Sequence, residues 1–219
     1  TFSSNPRLAP LLDGTVKKVS GYTCDIFTDH VLGFIRQHHR VAFAVSLHFR
    51  APHAAWLPVR PEDWAPFKDL DPEIPDPGYA DLDVPLIKKR TREYLAAVKS
   101  IDRNVGRVLG LLDQLDLADK TVVVFTSDHG EANGDRGIWG KSNMYEESVG
   151  VPMILVGDGV PAGQVIETPV SHVDCFPTIT DCVGLDRLDE DDCLRGRSLF
   201  DIAGGAEPDR IAFSEFHAA

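Results

Sequence analysis

Thr121–Glu147 reads TVVVFTSDHGEANGDRGIWGKSNMYEE. Thr121 to Thr126 is a short, β-branched, apolar run, the pattern of a buried strand. The run breaks at Ser127-Asp128-His129-Gly130, and thirteen residues after Asp128 comes a lysine, Lys141. Asp128 offers a hard oxygen and His129 an imidazole nitrogen. Because the strand breaks there, consecutive side chains are freed from strict alternation and can reach one ion. An acid and an imidazole at a strand end, with a cation downstream, can hold a metal and an anion. Two ligands are too few for a closed site, since zinc takes four and calcium six or more. Further metal ligands must therefore come from elsewhere. Asp-His-Gly alone also reads as a capped turn.

Upstream, Tyr94, Leu95, Val98, Ile101, Val105, Val108, Leu109, Leu112 and Leu115 recur at spacings of three and four. They predict a long amphipathic helix, with Pro85 in its first turn. Val41–Leu47 (VAFAVSL) reads as another buried strand and runs into His48, Arg50 and His53. A first helix is expected from an N-cap at Thr28 to about Arg36, with His38 and His39 set against its carboxyl end. Between residues 55 and 85, seven prolines argue against regular structure and predict a packed rim around a site. Downstream, Val151–Val156 predicts a third strand, Asp174 to about Val183 a helix stopped by Gly184, and Ile211–Phe216 a last strand. Strands alternating with helices indicate an α/β fold with a mainly parallel sheet flanked by helices. In such sheets ligands bind beyond the carboxyl ends of the strands. The candidates after the first two predicted strands are His48, Arg50 and His53, then Asp128 and His129.

The 219 residues suffice for one full-sized core, and 43% apolar with 26% charged residues is ordinary for a soluble globular chain. A net charge of −12 opposes a general nucleic-acid surface but permits a small anionic ligand at a local basic cluster. No stretch has the roughly 20 apolar residues of a spanning helix. The chain starts at Thr1 in a loop-like stretch to residue 19, read as a remnant of a longer catalytic domain; compartment and oligomeric state are left open. Cys24, Cys175, Cys182 and Cys193 form no C-x-x-C pair. Free thiols packed as small hydrophobes are expected, with disulfides left open.

The words TSDHGE, GDRGIWGKSNMYEE and VPMILVG together resemble the sulfatase family of the alkaline-phosphatase superfamily. SLHFRAPHAAW, YLAAVKSIDRNVGRVLGLLD, SHVDCFPTITDCVGL, LRGRSLF and FSEFHAA resemble further family segments in the same order, over roughly residues 20–219. The resemblance implies an alkaline-phosphatase-like but incomplete fold and a metal-dependent sulfuric ester hydrolase. It places Asp128 and His129 at a divalent cation, Ca2+ first, with Mn2+ and Mg2+ as alternatives. It places Lys141 on the sulfate and the bridging oxygen, and His53 near the leaving-group oxygen. His48 and Arg50 join Lys141 and His53 as candidate substrate-binding residues, and the implied partner is a small sulfated ester.

The family's nucleophile is a cysteine in a C-x-P-S-R or C-x-A-x-R setting, oxidised to formylglycine. None of the four cysteines fits; Cys175-Phe176-Pro177 has the proline but lacks the arginine. The family's two N-terminal acidic ligands are also missing. Nucleophile and remaining ligands are therefore expected upstream, and the isolated chain is expected to be inactive. Two alternatives stay open: a phosphonate monoester or phosphodiester hydrolase of the same superfamily, and a non-catalytic fragment that keeps the fold.

Overall fold

A computed structural model describes residues 11–12, 15–16, 19–74, 78–79, 81–186 and 188–215. The chain divides into two compact units, residues 1–117 and 118–219.

The first unit is built on the long predicted helix, α3 (Val84–Gln114) in chain order. Its 31 residues span about eight and a half turns. It starts where the Asp83 carboxylate accepts the Leu86 amide at 3.1 Å, with a proline in the first turn. Against it packs α1 (Thr23–His38); Val31, Leu32 and Ile35 are buried on α1, and Ala97, Ile101 and Leu111 on α3. Each fully buried isoleucine or leucine contributes about 1.5–3 kcal/mol. The apolar stripe was expected to run through Val98 and Leu109, yet these are exposed. The buried face instead carries Ser100 and Asn104, because it meets a buried carboxylate, Asp25.

Asp25 accepts from Arg60 (2.6 Å), Arg103 (2.9 Å) and Asn104 (3.1 Å). Burial pushes its carboxyl up, but these donors outweigh burial and hold it below the ordinary value. Arg103 also grips Asp63 with two nitrogens, at 3.0 and 2.9 Å. Asp63 is 1% exposed and belongs to α2 (Pro61–Trp64), a single turn inside the proline-rich stretch. Proline is tolerated there because it occupies the first helical position, where its missing N–H has no partner to lose.

Several expectations for this unit need correction. Helix α1 begins at Thr23 rather than at Thr28, which is fully buried within it. Cys24, Thr28, Val31, Leu32 and Ile35 form one helical stripe, so Thr28 belongs to the packed face. His38 and His39 close the helix by donating to the carbonyls of Phe34 and Arg36. Val41–Leu47 is not a strand, and Val41 and Val45 are exposed. A strand exists through its ladder, and no neighbour among the described residues pairs with this segment. The loop-like N-terminal stretch holds a small antiparallel pair, β1 (Leu11–Leu12) with β2 (Thr15–Val16).

The second unit contains β3 (Val123–Thr126) and β4 (Met153–Val156). The described strands pair antiparallel, Val123 opposite Val156 and Thr126 opposite Met153, and no parallel pair occurs among the described residues. Between them the chain doubles back, and the Gly130 amide donates to the Ser148 carbonyl at 2.8 Å. β4 therefore returns alongside β3, as in a long hairpin. On β4, Ile154 and Val156 are exposed while Met153 and Leu155 are half-buried, so one face is covered instead of two.

After β3 and before β4 comes the short helix α4 (Glu146–Val149). Beyond β4, α5 (Cys175–Cys182) ends at Gly184, whose φ of +66° suits glycine, and α6 (Leu199–Ala203) buries Leu199 and Ile202. Asp174, fully buried ahead of α5, accepts from the Ser171 and Arg197 amides (both 2.8 Å) and from Arg210 (2.6 Å). The last expected strand is absent over Ile211–Glu215, and Phe216 lies outside the described residues.

All four cysteines are free. Cys24 is packed as expected, and burial pushes its thiol up to about 11. Cys182 and Cys193 are exposed instead.

Candidate functional site

In the second unit, the residues that leave β3 fold into a tight turn. The Ser127 hydroxyl donates to the His129 carbonyl (2.9 Å), and the His129 amide donates to Asp128 Oδ1 (3.1 Å). His129 Nδ1 lies 2.7 Å from the Gly130 carbonyl oxygen. A carbonyl only accepts, so Nδ1 carries the hydrogen and the neutral ring has its lone pair at Nε2. That Nε2 stands 3.5 Å from Asp128 Oδ2. Two electron-rich atoms so placed repel unless a proton or a cation lies with them. A histidine held at Nδ1 by a carbonyl is also the usual support of a metal ligand. The Asp128 side chain is 85% exposed, open to such an ion. The pair therefore fits a divalent cation. Among the described residues, no group of three His, Cys, Asp or Glu side chains gathers around one point.

The loop from Gly130 to Lys141 is closed at its base. A Cβ on Gly130 would sit 2.0 Å from the Glu147 carbonyl oxygen, so this close approach requires glycine. Ala132 N–H donates to the Gly140 carbonyl (2.9 Å), and Gly140 N–H donates to Glu131 Oε1 (2.6 Å). Arg136 pairs with Asp135 and with Glu147 (2.9 Å), and lies 4.6 Å from the Tyr145 ring centre. Burial, with Glu147 alongside, raises the Asp135 carboxyl. Lys141 is half-buried and follows Gly140 directly. The turn has a further support: His172 Nε2 donates to the Ser127 carbonyl at 2.7 Å.

In the first unit, His48, Arg50 and His53 lie in an extended stretch and turn. Arg50 donates to the Ala54 carbonyl (3.0 Å), and His53 Nδ1 donates to the same oxygen (2.7 Å). Neutral His53 therefore also has its lone pair at Nε2. The buried Trp56 fixes this turn, its indole N–H donating to the Pro52 carbonyl at 2.6 Å. Arg90 lies over the indole and Tyr94 meets it edge-on, so α3 holds the tryptophan from two sides. A cavity of about 80 Å³ is lined by Arg50, His53, Trp56, Tyr22, Cys24 and Ser100. His48 does not line it and pairs with Ser46 Oγ at 2.6 Å.

Asp128, His129 and Lys141 thus share one loop system, and Arg50 and His53 share one turn. Sequence reasoning missed the supports Glu131 and His172, while Trp56, in the stretch expected to pack as a rim, is buried. Glu131 directly follows the Asp-His-Gly word and could have been suspected. His172 acts across 45 residues, a distance no local pattern reports.

The sulfatase family model matches residues 2–185, and the chain belongs to the sulfatase family. Solved relatives carry its alkaline-phosphatase-like fold. A choline-sulfatase from Rhizobium meliloti is 27% identical over 82% of this chain and 39% of its own length. Arylsulfatase K of Mus musculus is 36% identical over 60% of this chain and 23% of its own. The chain thus spans well under half the length of these curated relatives. Among solved structures, a phosphonate monoester hydrolase from Silicibacter pomeroyi superposes with a TM-score of 0.68. It is 25% identical and covers 97% of this chain and 49% of its own. Among the described residues, no helix is long and apolar enough to cross a membrane.

Proposed function

We propose that this chain is part of a metal-dependent sulfuric ester hydrolase and contributes one wall of its active site. The observation that carries this reading is the Asp128–His129 pair, with His129 Nε2 and Asp128 Oδ2 3.5 Å apart and the imidazole fixed at Nδ1. Asp128 and His129 would hold a divalent cation; the family resemblance puts Ca2+ first, with Mn2+ and Mg2+ as alternatives. When bound, that ion neutralises negative charge on the transferring group. The family uses a formylglycine nucleophile; here it and the remaining ligands are assigned to residues outside these 219.

Lys141 offsets the charge that builds on the sulfate and on the bridging oxygen as the S–O bond breaks. His53 donates a proton to the departing alkoxide or phenoxide. Its Nδ1–H is committed to the Ala54 carbonyl, so the proton must come from Nε2 of the imidazolium. Arg50 and the Trp56 rim face the leaving alcohol, while His48 is a weaker substrate contact.

The superposition on a phosphonate monoester hydrolase supports a second reading, a phosphodiester or phosphonate hydrolase. The curated sequence relatives favour the sulfatase. Assaying the complete protein on an aryl sulfate and an aryl phosphodiester separates the two. Sulfate cleavage is expected to dominate, and cleavage of the diester alone would reject the sulfatase reading. The isolated 219 residues are expected to give no turnover.

A further inference from the structure

Glu131 sits between the two functional ends of the loop, one residue beyond Asp128-His129-Gly130. Its carboxylate turns back over the loop. Oε1 accepts the Gly140 amide at 2.6 Å and the Asn133 amide at 3.3 Å. A carboxylate taking backbone N–H groups makes a charge-assisted bond, stronger than a neutral one. Gly140 is the residue before Lys141. The next peptide, which leads into Lys141, is also held, because the Gly140 carbonyl accepts the Ala132 amide. The loop so closed contains Asn133 and Arg136 at φ of 47° and 51°, conformations that are unfavourable for side-chain-bearing residues and that surrounding contacts must enforce.

We infer that Glu131 is a positioning residue for Lys141: its carboxylate fixes the Gly140 peptide and so sets where the ammonium meets the bridging oxygen. This rests on the sulfatase reading for the role of Lys141, but the clamp itself is a property of the loop. A displacement of about 1 Å at a catalytic group can cost about 100-fold in rate.

The test uses the complete protein with Glu131→Ala and Glu131→Gln. An amide oxygen can still accept the Gly140 N–H, whereas alanine cannot. Glu131→Ala is expected to lower kcat/KM for aryl sulfates about 100-fold, with the loss growing as the leaving phenol becomes less acidic. Glu131→Gln is expected to recover activity to within about fivefold of wild type. Calcium affinity by titration calorimetry should stay within about threefold in both. Amide exchange over residues 132–141 should accelerate in Glu131→Ala alone.

A Glu131→Ala enzyme within threefold of wild type overturns the proposal. So does a folded Glu131→Gln enzyme as impaired as Glu131→Ala, or a loss matched by an equal fall in calcium affinity, which would make Glu131 a support of the metal turn. If wild type itself cleaves no aryl sulfate, the sulfatase reading fails. The clamp then stands or falls on amide exchange: faster exchange in Glu131→Ala with protection in Glu131→Gln supports it, and unchanged exchange rejects it.

Discussion

Two acidic sites in this chain are built in opposite ways. In the first unit, Asp25 and Asp63 are 5% and 1% exposed, and Arg103 bonds both. Arg60 and Asn104 fill the remaining acceptor positions of Asp25. In the second unit, Asp128 is 85% exposed, and its Oδ2 lies 3.5 Å from His129 Nε2. The first site is closed: every charge has its counter-charge within the chain, and it ties three helices together. The second leaves two donor atoms turned toward solvent on a turn that is otherwise fully braced.

The sharpest way to break this contrast is to remove the shared guanidinium. Arg103→Ala strands the buried Asp63 and takes one of three donors from Asp25, and loss of one partner of a buried pair costs about 3–5 kcal/mol. Urea unfolding should show it as a fall in midpoint; a shift below about 1 kcal/mol would mean the cluster is not closed. Next in size is Lys141→Ala in the complete protein. Removing one donor to developing charge lowers kcat by about 100- to 1,000-fold, or about 2.7–4 kcal/mol. Single-turnover kinetics on an aryl sulfate checks it, with unfolding expected to stay unchanged.

How far the sequence carried this reading differs between the same two sites. Asp128, His129 and Lys141 were legible because they fall within one continuous word, and strand β3 ends where the β-branched run ends. The closed cluster was not, because Asp25, Asp63 and Arg103 are separated by up to 78 residues and look like ordinary solvated charges on their own segments. The alternating helices and strands were legible as α/β. The antiparallel β3–β4 pair was not, since it depends on where the connection turns back and not on the composition of either strand. Val41–Leu47 shows the limit most clearly: its residues favour a strand, but pairing decides, and the described residues offer it no ladder. The supports from Glu131 and His172 are hydrogen bonds to backbone atoms, an amide donor in the first and a carbonyl acceptor in the second, and a backbone partner leaves no mark on sequence.

A smaller effect follows from pH. Arg60, Arg103 and Asn104 hold the Asp25 carboxyl below its ordinary value of 3.8, against the opposing push of burial. The unfolded chain therefore takes up this proton more readily. The contribution is fully present above the ordinary value and is lost as pH falls through the lowered one. Unfolding followed from pH 6 downward should show stability falling in acid, and Asp25→Asn should flatten that slope while lowering stability near neutrality. The smallest change is expected at the open site: Asp128→Ala should move the unfolding free energy by no more than about 0.5 kcal/mol, because an exposed side chain is removed. A loss of several kcal/mol would make Asp128 a structural residue like Asp63.

The most direct measurement is calcium titration of the complete protein by calorimetry, comparing wild type with Asp128→Asn. The account predicts saturable binding by wild type and at least a tenfold loss of affinity in Asp128→Asn, with the unfolding temperature of the metal-free protein unchanged. Equal affinity in the two proteins would contradict it.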